Sequence, residues 1–518
     1  MTPAGVTGGV PTPPIDWGRP PEAVSDLVEP AVRELEPSVL SELAATGAVV
    51  TAEIAARVEA SRDWWPLAQR WALRGWAPAR PAAVVAPATA SEVAAVLAVA
   101  HAHHLPVTAA GGRSGVCGGA VPACGGIALD CCGLAGVVEV DEESLRVRVR
   151  AGTFGPDLER ELQDRHGLTV GHWPQSIDLA TVGGWVACRG AGQYSTRYGK
   201  VEDLVTGLEV VLADGRLVRT GALAGAGPRS ATGPDLTQLF VGSEGTLGVL
   251  TEVGLRARPL PAHEERTAWS FPTFEEGLEA LRLTLRAGAT PAVVRLYDER
   301  ESGRTFDLPE ANVLIVLDEG DPSLVAASLG ICAAACASCG GSELGREPVE
   351  RWLEHRNEVA ALASLTRAGI VVDTVEVAAP WRELGGLYRE CMSELGALEG
   401  CLAASAHESH AYLDGACLYF TFAGRGPDPH DEAWAARFYG EAWRRVMAVT
   451  RRHGGSISHH HGIGVVRGRY LAEALGEGYF VLEQLKRALD PTGILNPGKL
   501  GLPSPFGPAP DFAAAVVP

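Results

Sequence analysis

The chain has 518 residues, 46% of them hydrophobic and 21% charged, a composition that excludes disorder over most of its length. Acidic residues outnumber basic ones 63 to 44, giving a formal net charge of −19. With no Lys/Arg run, a nucleic-acid partner is not expected.

At about 100–200 residues per domain, the length predicts two to four domains. No apolar stretch is long enough to span a membrane, and the N-terminus lacks a basic-then-apolar leader. The expectation is a cytoplasmic protein with at most peripheral membrane contact. The eleven cysteines then read as reduced and packed.

Residues 1–21 are rich in Pro and Gly and read as a loose start; residues 22–77 carry apolar positions at helical spacing. Ser61 is a candidate N-cap for SRDWWPLAQRWALRG. From residue 78 the texture changes. PAAVVAP reads as a strand, SEVAAVLAVAHAHH as an amphipathic helix, and LPVTAA as a strand running into GGRSGVCGG. A meander follows through GIALDCC, GVVEVDEE and SLRVRVRAG, then a second Gly-rich stretch over residues 174–199. LVTGLEVVLADGRLVRTG reads as a hairpin turning at Asp214-Gly215. GSEGTLGVLTE closes this region near residue 261. Residues 262–440 alternate helices and strands as a second domain, and residues 441–518 are helical, then turn-rich.

Glycines let the first loop take φ > 0, and successive N–H groups there can cradle a phosphate. The loop has neither the G-x-G-x-x-G spacing into a helix nor a GK[ST] P-loop, so alone it reads equally as a tight turn. The ordered set is more specific. PAAVVAP, the first loop, PQSIDLATVGGWVACRGAG, YGKVEDLVTGLEVVLADG and GSEGTLGVLTE resemble the FAD-binding domain of the vanillyl-alcohol-oxidase-type flavoproteins. The resemblance runs over roughly residues 80–500. It implies an α+β fold with a split FAD-binding domain, an α/β cap and a helical N-terminal lead.

By that resemblance FAD contacts four stretches. The first is Gly111, Gly112, Arg113, Ser114, Gly115, Val116 and Cys117. The second is Pro174, Gln175, Ser176, Ile177, Asp178, Leu179 and Ala180. The third is Ala187, Cys188, Arg189 and Gly190, and the fourth is Ser243, Glu244, Gly245, Thr246, Leu247, Gly248 and Val249. Arg113 departs from a glycine common in that family. Cys117 is the one covalent-flavin candidate in the first loop; its reading is a packed cysteine beside non-covalent FAD.

GGSISHHHGIG places His459, His460 and His461 between glycines, and no Cys/His partner stands at zinc-site spacing, so no metal is expected. Such imidazoles suit proton shuttling or anion binding. Tyr412 and Tyr419 lie seven residues apart; on one strand they would face opposite ways. ATVGGWV, GKVEDLV, ATGPD, GSEGTLGV, GACLYF and SHHHGIG, in that order, resemble the alkyldihydroxyacetonephosphate synthases, the ether-lipid branch of the family. This implies Tyr419 as proton donor and acceptor, with the three histidines essential beside it. The implied reaction exchanges the acyl chain of acyl-dihydroxyacetone phosphate for a fatty alcohol.

The synthases carry a substrate-binding Arg at a position that falls near Leu362 here. Arg356 is the expected replacement, with Arg295 of VVRLYD in support. The ligand is then a lipid-like small molecule, and the oligomeric state is open between monomer and homodimer. Two rival readings stand: an FAD-dependent 2-hydroxy-acid dehydrogenase, although H-x-G-D-G-N-x-H is absent, and a non-catalytic flavin-binding protein. Cys332, Cys336 and Cys339 have iron–sulfur spacing but read as a buried helix face.

Overall fold

The computed structural model describes residues 15–358, 361–508 and 510–512, with the side chains of 359–363 left out. In the lead, Ser61 does not cap a helix. Its hydroxyl donates to Val58 O, and helix α1 (Pro66–Ala72) starts at a proline with Trp65 as its cap. Proline suits the first helical position because no N–H is needed there. The residues between turn onto the first Gly loop, where Trp64 N–H donates to Gly115 O at 2.8 Å.

The first sheet is formed by β1 (Val49–Thr51), β2 (Ala83–Ala86), β3 (Val107–Ala110) and β4 (Ile127–Asp130), in the order β1-β2-β4-β3. Strands β2, β4 and β3 run parallel, so a crossover is required. Helix α2 (Ala90–Ala102) supplies it, capped by Thr89, whose hydroxyl accepts from Glu92 N–H. The second sheet is antiparallel: β5 (Val137–Asp141), β6 (Arg146–Arg150), β7 (Val205–Val211), β8 (Leu217–Arg219) and β9 (Val249–Arg256), in the order β8-β7-β9-β6-β5. Strands β7 and β8 are the expected hairpin, and Gly215 in its turn has φ 85°.

Seven antiparallel strands build the third sheet. They are β10 (His263–Phe271), β11 (Val293–Tyr297), β12 (Asn312–Gly320), β13 (Ser342–Gly345), β14 (Val371–Pro380), β15 (Cys401–Ala411) and β16 (Gly415–Gly424), in the order β13-β10-β12-β11-β15-β16-β14. Period-2 alternation divides its faces. Leu296, Leu418, Phe420 and Phe422 join a core with residues of α3 (Phe274–Arg286), α4 (Pro322–Ser338), α7 (Trp381–Gly396) and α8 (Glu432–Arg452). Between α4 and α7 lie α5 (Glu347–His355) and α6 (Ala361–Arg367). Cys332 and Cys336 lie buried in α4, as the packed-face reading requires, whereas Cys339 caps the helix and is only partly buried.

The opposite face presents Tyr297, His407, Tyr419 and Glu376, which are direct cross-strand partners in sequence across β11, β15, β16 and β14. The chain then returns to the first sheet. Val107 N–H donates to Ile494 O, and Asn496 N–H donates to Val107 O. No helix among the described residues is long and apolar enough to cross a membrane.

Candidate active site

Four loops converge at the head of the first sheet. Gly111 and Gly112 pack against the second stretch so closely that a Cβ would lie 2.2 Å from Thr181 Oγ1 and 1.8 Å from Leu179 O. Only glycine fits there. Among the described residues, the main-chain N–H groups of Arg113, Ser114, Gly115 and Val116 donate to no protein acceptor. Consecutive free donors in a glycine loop form a nest for an anion.

Four non-glycine residues in or beside these loops hold positive φ: Arg113 (56°), Arg189 (53°), Glu244 (48°) and Asn496 (40°). Such conformations cost about 1–3 kcal/mol each and persist where contacts over-determine them. Those contacts are present. The Glu244 carboxylate accepts from Ile463 and Gly464 N–H at 2.5 and 2.8 Å. Asn496 Nδ2 donates to Gly119 O and Glu244 O. The three lysines of the chain act as further ties. Lys486 donates to Thr246 O and Leu495 O, Lys499 to Val121 O, and Lys200 to His459 O.

These observations fit a dinucleotide cofactor lying along the loops. Arg113 to Val116 would face its pyrophosphate. Not every predicted residue has a side chain free to touch it. Ile177, Leu247 and Val249 are buried in hydrophobic clusters. Cys117 is 2% exposed, and burial pushes its thiol far up the scale. A thiol held neutral is a poor nucleophile, which agrees with a non-covalent cofactor.

The histidine loop sits against the open face of the third sheet. Tyr419 OH is hydrogen-bonded to His460 Nε2. His460 Nδ1 lies 2.8 Å from His459 Nδ1, and His459 Nε2 lies 3.0 Å from Tyr412 OH. His461 makes an edge contact with the Tyr419 ring, centroids 5.4 Å apart. The loop is fixed from below by Glu376 of β14. This carboxylate accepts from His459 N–H at 2.5 Å, from His461 N–H at 3.0 Å and from Ser458 OH at 2.9 Å. It also pairs with Arg467 at 3.1 Å, both side chains being fully buried.

Burial pushes all three imidazoles down, His459 to about 3 and His461 to about 4, with His460 also well below its ordinary value. The loop is therefore neutral at physiological pH. It suits proton transfer, and any anion it met would be held by a neutral imidazole N–H rather than by a charge. The two tyrosines also depart from the one-strand reading. Strand β15 ends at Ala411 and β16 begins at Gly415, so Tyr412 sits at the hairpin turn and both phenols reach the histidine pair.

The arginines converge as well. Arg356 is the C-terminal cap of α5, and Leu362 belongs to the separate helix α6, so no continuous helix relates them. The side chain of Leu362 lies outside the described residues. The Arg356 guanidinium, 6% exposed, sits 5.5 Å from the Trp352 ring centroid and 5.4 Å from that of Tyr194. Its Nη1 has no hydrogen-bond partner. Arg295 lies 5.7 Å from the same Trp352 ring. It donates to Tyr297 OH and, at 3.0 Å, to His407 Nε2, so it is no surface ion pair.

Among the residues that escaped the sequence reading are His407 and His172. His407 stacks on Tyr419, centroids 4.6 Å apart and 15° between planes, and so joins the arginines to the phenol. His172 is 1% exposed, lies against Trp185 with both ring nitrogens unpartnered, and faces Gly190 of the third stretch. A histidine directly ahead of the Pro174 loop was its only signal.

Residues 81–221 match the family described as FAD binding domain, and residues 260–500 match FAD linked oxidases, C-terminal domain. An alkyldihydroxyacetonephosphate synthase of Trypanosoma brucei brucei is 30% identical over 487 residues, covering 86% of this chain and 76% of that protein. A glycolate oxidase subunit of Bacillus subtilis is 28% identical, covering 81% and 89%. Among solved structures, an alkyldihydroxyacetonephosphate synthase superposes with a TM-score of 0.75 at 23% identity, covering 95% of this chain and 88% of that one. A 4-ethylphenol oxidase of Gulosibacter chungangensis gives 0.72 at 19% identity, covering 90% and 97%. The chain belongs to the FAD-dependent family that joins these two domains, with alkyldihydroxyacetonephosphate synthases among its homologues, and its cofactor is FAD.

Proposed function

We propose that this FAD-linked enzyme exchanges the acyl chain of acyl-dihydroxyacetone phosphate for a fatty alcohol, releasing a fatty acid and forming an ether lipid precursor. The observation that carries this reading is the Arg295–His407–Tyr419 line, which sets two arginines on one side of a neutral phenol. A phosphate needs fixed positive charge, and a net charge of −19 offers no diffuse attraction for it. Arg295 and Arg356 would hold that phosphate across Trp352. FAD, when bound, supplies a ring that accepts and returns an electron pair. Tyr419 would move the proton at the substrate's C1, and His460 would take and return the phenol proton. Glu376 and Arg467 keep the histidine loop in place.

A fatty alcohol and acyl-dihydroxyacetone phosphate given to the holoenzyme should yield ether product and free fatty acid in equal amounts, with the flavin absorbance restored afterwards. No exchange by FAD-loaded protein would overturn the reading. The 28% identical glycolate oxidase subunit supports one alternative, since a carboxylate would also pair with two arginines. Lasting flavin bleaching by a 2-hydroxy acid would establish it.

A further inference from the structure

We infer that Tyr412, Ser195 and His410 extend the Tyr419–His460–His459 cluster into one continuous proton path that ends on the buried imidazole of His410. The sequence reading left all three outside the chemistry, and the inference rests on the proposed role of Tyr419 as proton donor.

The backbone brings them together. A bulge at Ser409 shifts the β15 register between Glu408 and His410, so His410 comes opposite Cys417, on the Tyr419 face. Bulges recur beside active sites because they re-aim a side chain. Tyr412 is fixed at the hairpin turn: its N–H donates to Gly415 O, and its carbonyl accepts from Trp381 Nε1 at 2.9 Å. Its hydroxyl donates to Ser195 Oγ at 3.3 Å, and Ser195 Oγ lies 2.7 Å from His410 Nδ1. Tyr412 is half-buried, while Leu413 beside it is 74% exposed.

The donor count then orders the protons. Two facing Nδ1 atoms can share only one proton. With the phenol protonated, Tyr419 donates to His460 Nε2, and His460 Nδ1–H donates to His459 Nδ1. His459 Nε2–H donates to Tyr412 oxygen, Tyr412 to Ser195, and Ser195 to His410 Nδ1. Every link has one donor and one acceptor, and all five reverse together. Each proton moves one link. One proton leaves the Tyr419 oxygen as a phenolate, one arrives at His410 Nδ1, which with its Nε2–H becomes an imidazolium, and no electrons move. Burial disfavours a charge resting midway, and the proton returns to Tyr419 by the same five links.

Tyr412→Phe removes one hydroxyl and keeps the ring. Nitrogen-15 imidazole NMR of the holoenzyme without substrate should show fixed tautomers in the wild type: His460 protonated at Nδ1, His459 and His410 at Nε2. In Tyr412→Phe, Ser195 is no longer obliged to donate, so His410 should become a mixture while His459 stays protonated at Nε2, and an unchanged His410 tautomer would overturn the path. With substrate, kcat should fall at least about tenfold while KM and FAD content hold. A bowed proton inventory in mixed light and heavy water should become linear. Ser195→Ala should act alike, and Ser195→Thr, which keeps a hydroxyl, should restore the bow. Unchanged kcat and inventory in Tyr412→Phe would also overturn it. A wild type inactive on acyl-dihydroxyacetone phosphate would sink the proposed reaction alone, because the tautomer readout needs no substrate.

Discussion

Glu376→Gln tests what holds the histidine loop. Burial alone would raise this carboxyl, yet Arg467 and the His459 N–H hold it down at about 2, against an ordinary 4.5. That difference corresponds to about 3 kcal/mol of stability at neutral pH. A second route agrees. Breaking a fully buried ion pair from one side leaves Arg467 uncompensated and costs about 3–5 kcal/mol. Glutamine keeps the shape but turns an NH2 group toward the loop N–H donors. The folded pKa is depressed, so the stabilisation is complete above the unfolded value and is lost as pH falls from 4.5 toward 2. Urea unfolding should therefore show a wild-type advantage of about 3 kcal/mol at pH 7, shrinking to about 1 kcal/mol at pH 3. An advantage below 1 kcal/mol at pH 7, or one independent of pH, refutes the assignment of this pair as the anchor.

Three further outcomes are expected. Tyr419→Phe should abolish turnover while the protein stays yellow, read by flavin absorbance beside the substrate assay. Arg356→Ala should raise KM for a phosphate-bearing substrate about 10- to 100-fold, the loss of one charge-assisted contact. Glu408 is fully buried with both carboxylate oxygens unpartnered, and burial pushes it up to about 8. A raised folded pKa stabilises below the unfolded value and loses that stabilisation as pH rises toward 8, so Glu408→Gln should stabilise the protein at pH 7 by up to about 3 kcal/mol in urea unfolding.

The cofactor loops are legible in the sequence because their requirement is local. A main chain so close to another that a Cβ on Gly112 would lie 1.8 Å from Leu179 O can use only glycine, and glycine prints itself in the motif. The hairpin at Asp214-Gly215 is local in the same way. The neighbourhood of Tyr419 is not. His407 meets Tyr419 because strand register makes them cross-strand partners, and a bulge at Ser409 decides where His410 faces. Neither register nor bulge leaves a mark on composition. SRDWW reads as a helix start by its polar serine, but tertiary contact with Gly115 O overrides that preference. Arg356 was reached by counting along a helix that is broken in fact, and converges on Trp352 through the end of α5.

The separation of charge across His407 explains how cationic and neutral chemistry share one site. Arginine has no acceptor, so its contact forces His407 Nε2 to accept. The remaining proton then sits on Nδ1 and points to Glu301 Oε1 at 3.1 Å. His407 is thereby a neutral ring of fixed tautomer, in keeping with burial lowering its pKa. The charge of Arg295 is answered by Glu301 through this ring rather than at the phenol. Tyr419 meets the flat face of an uncharged imidazole on one side and neutral His460 on the other. Its proton is therefore free to move without disturbing the arginines. Protonating His407 would put two donors face to face and push Arg295 off, so the proposed anion site and the proposed proton donor depend on the same tautomer.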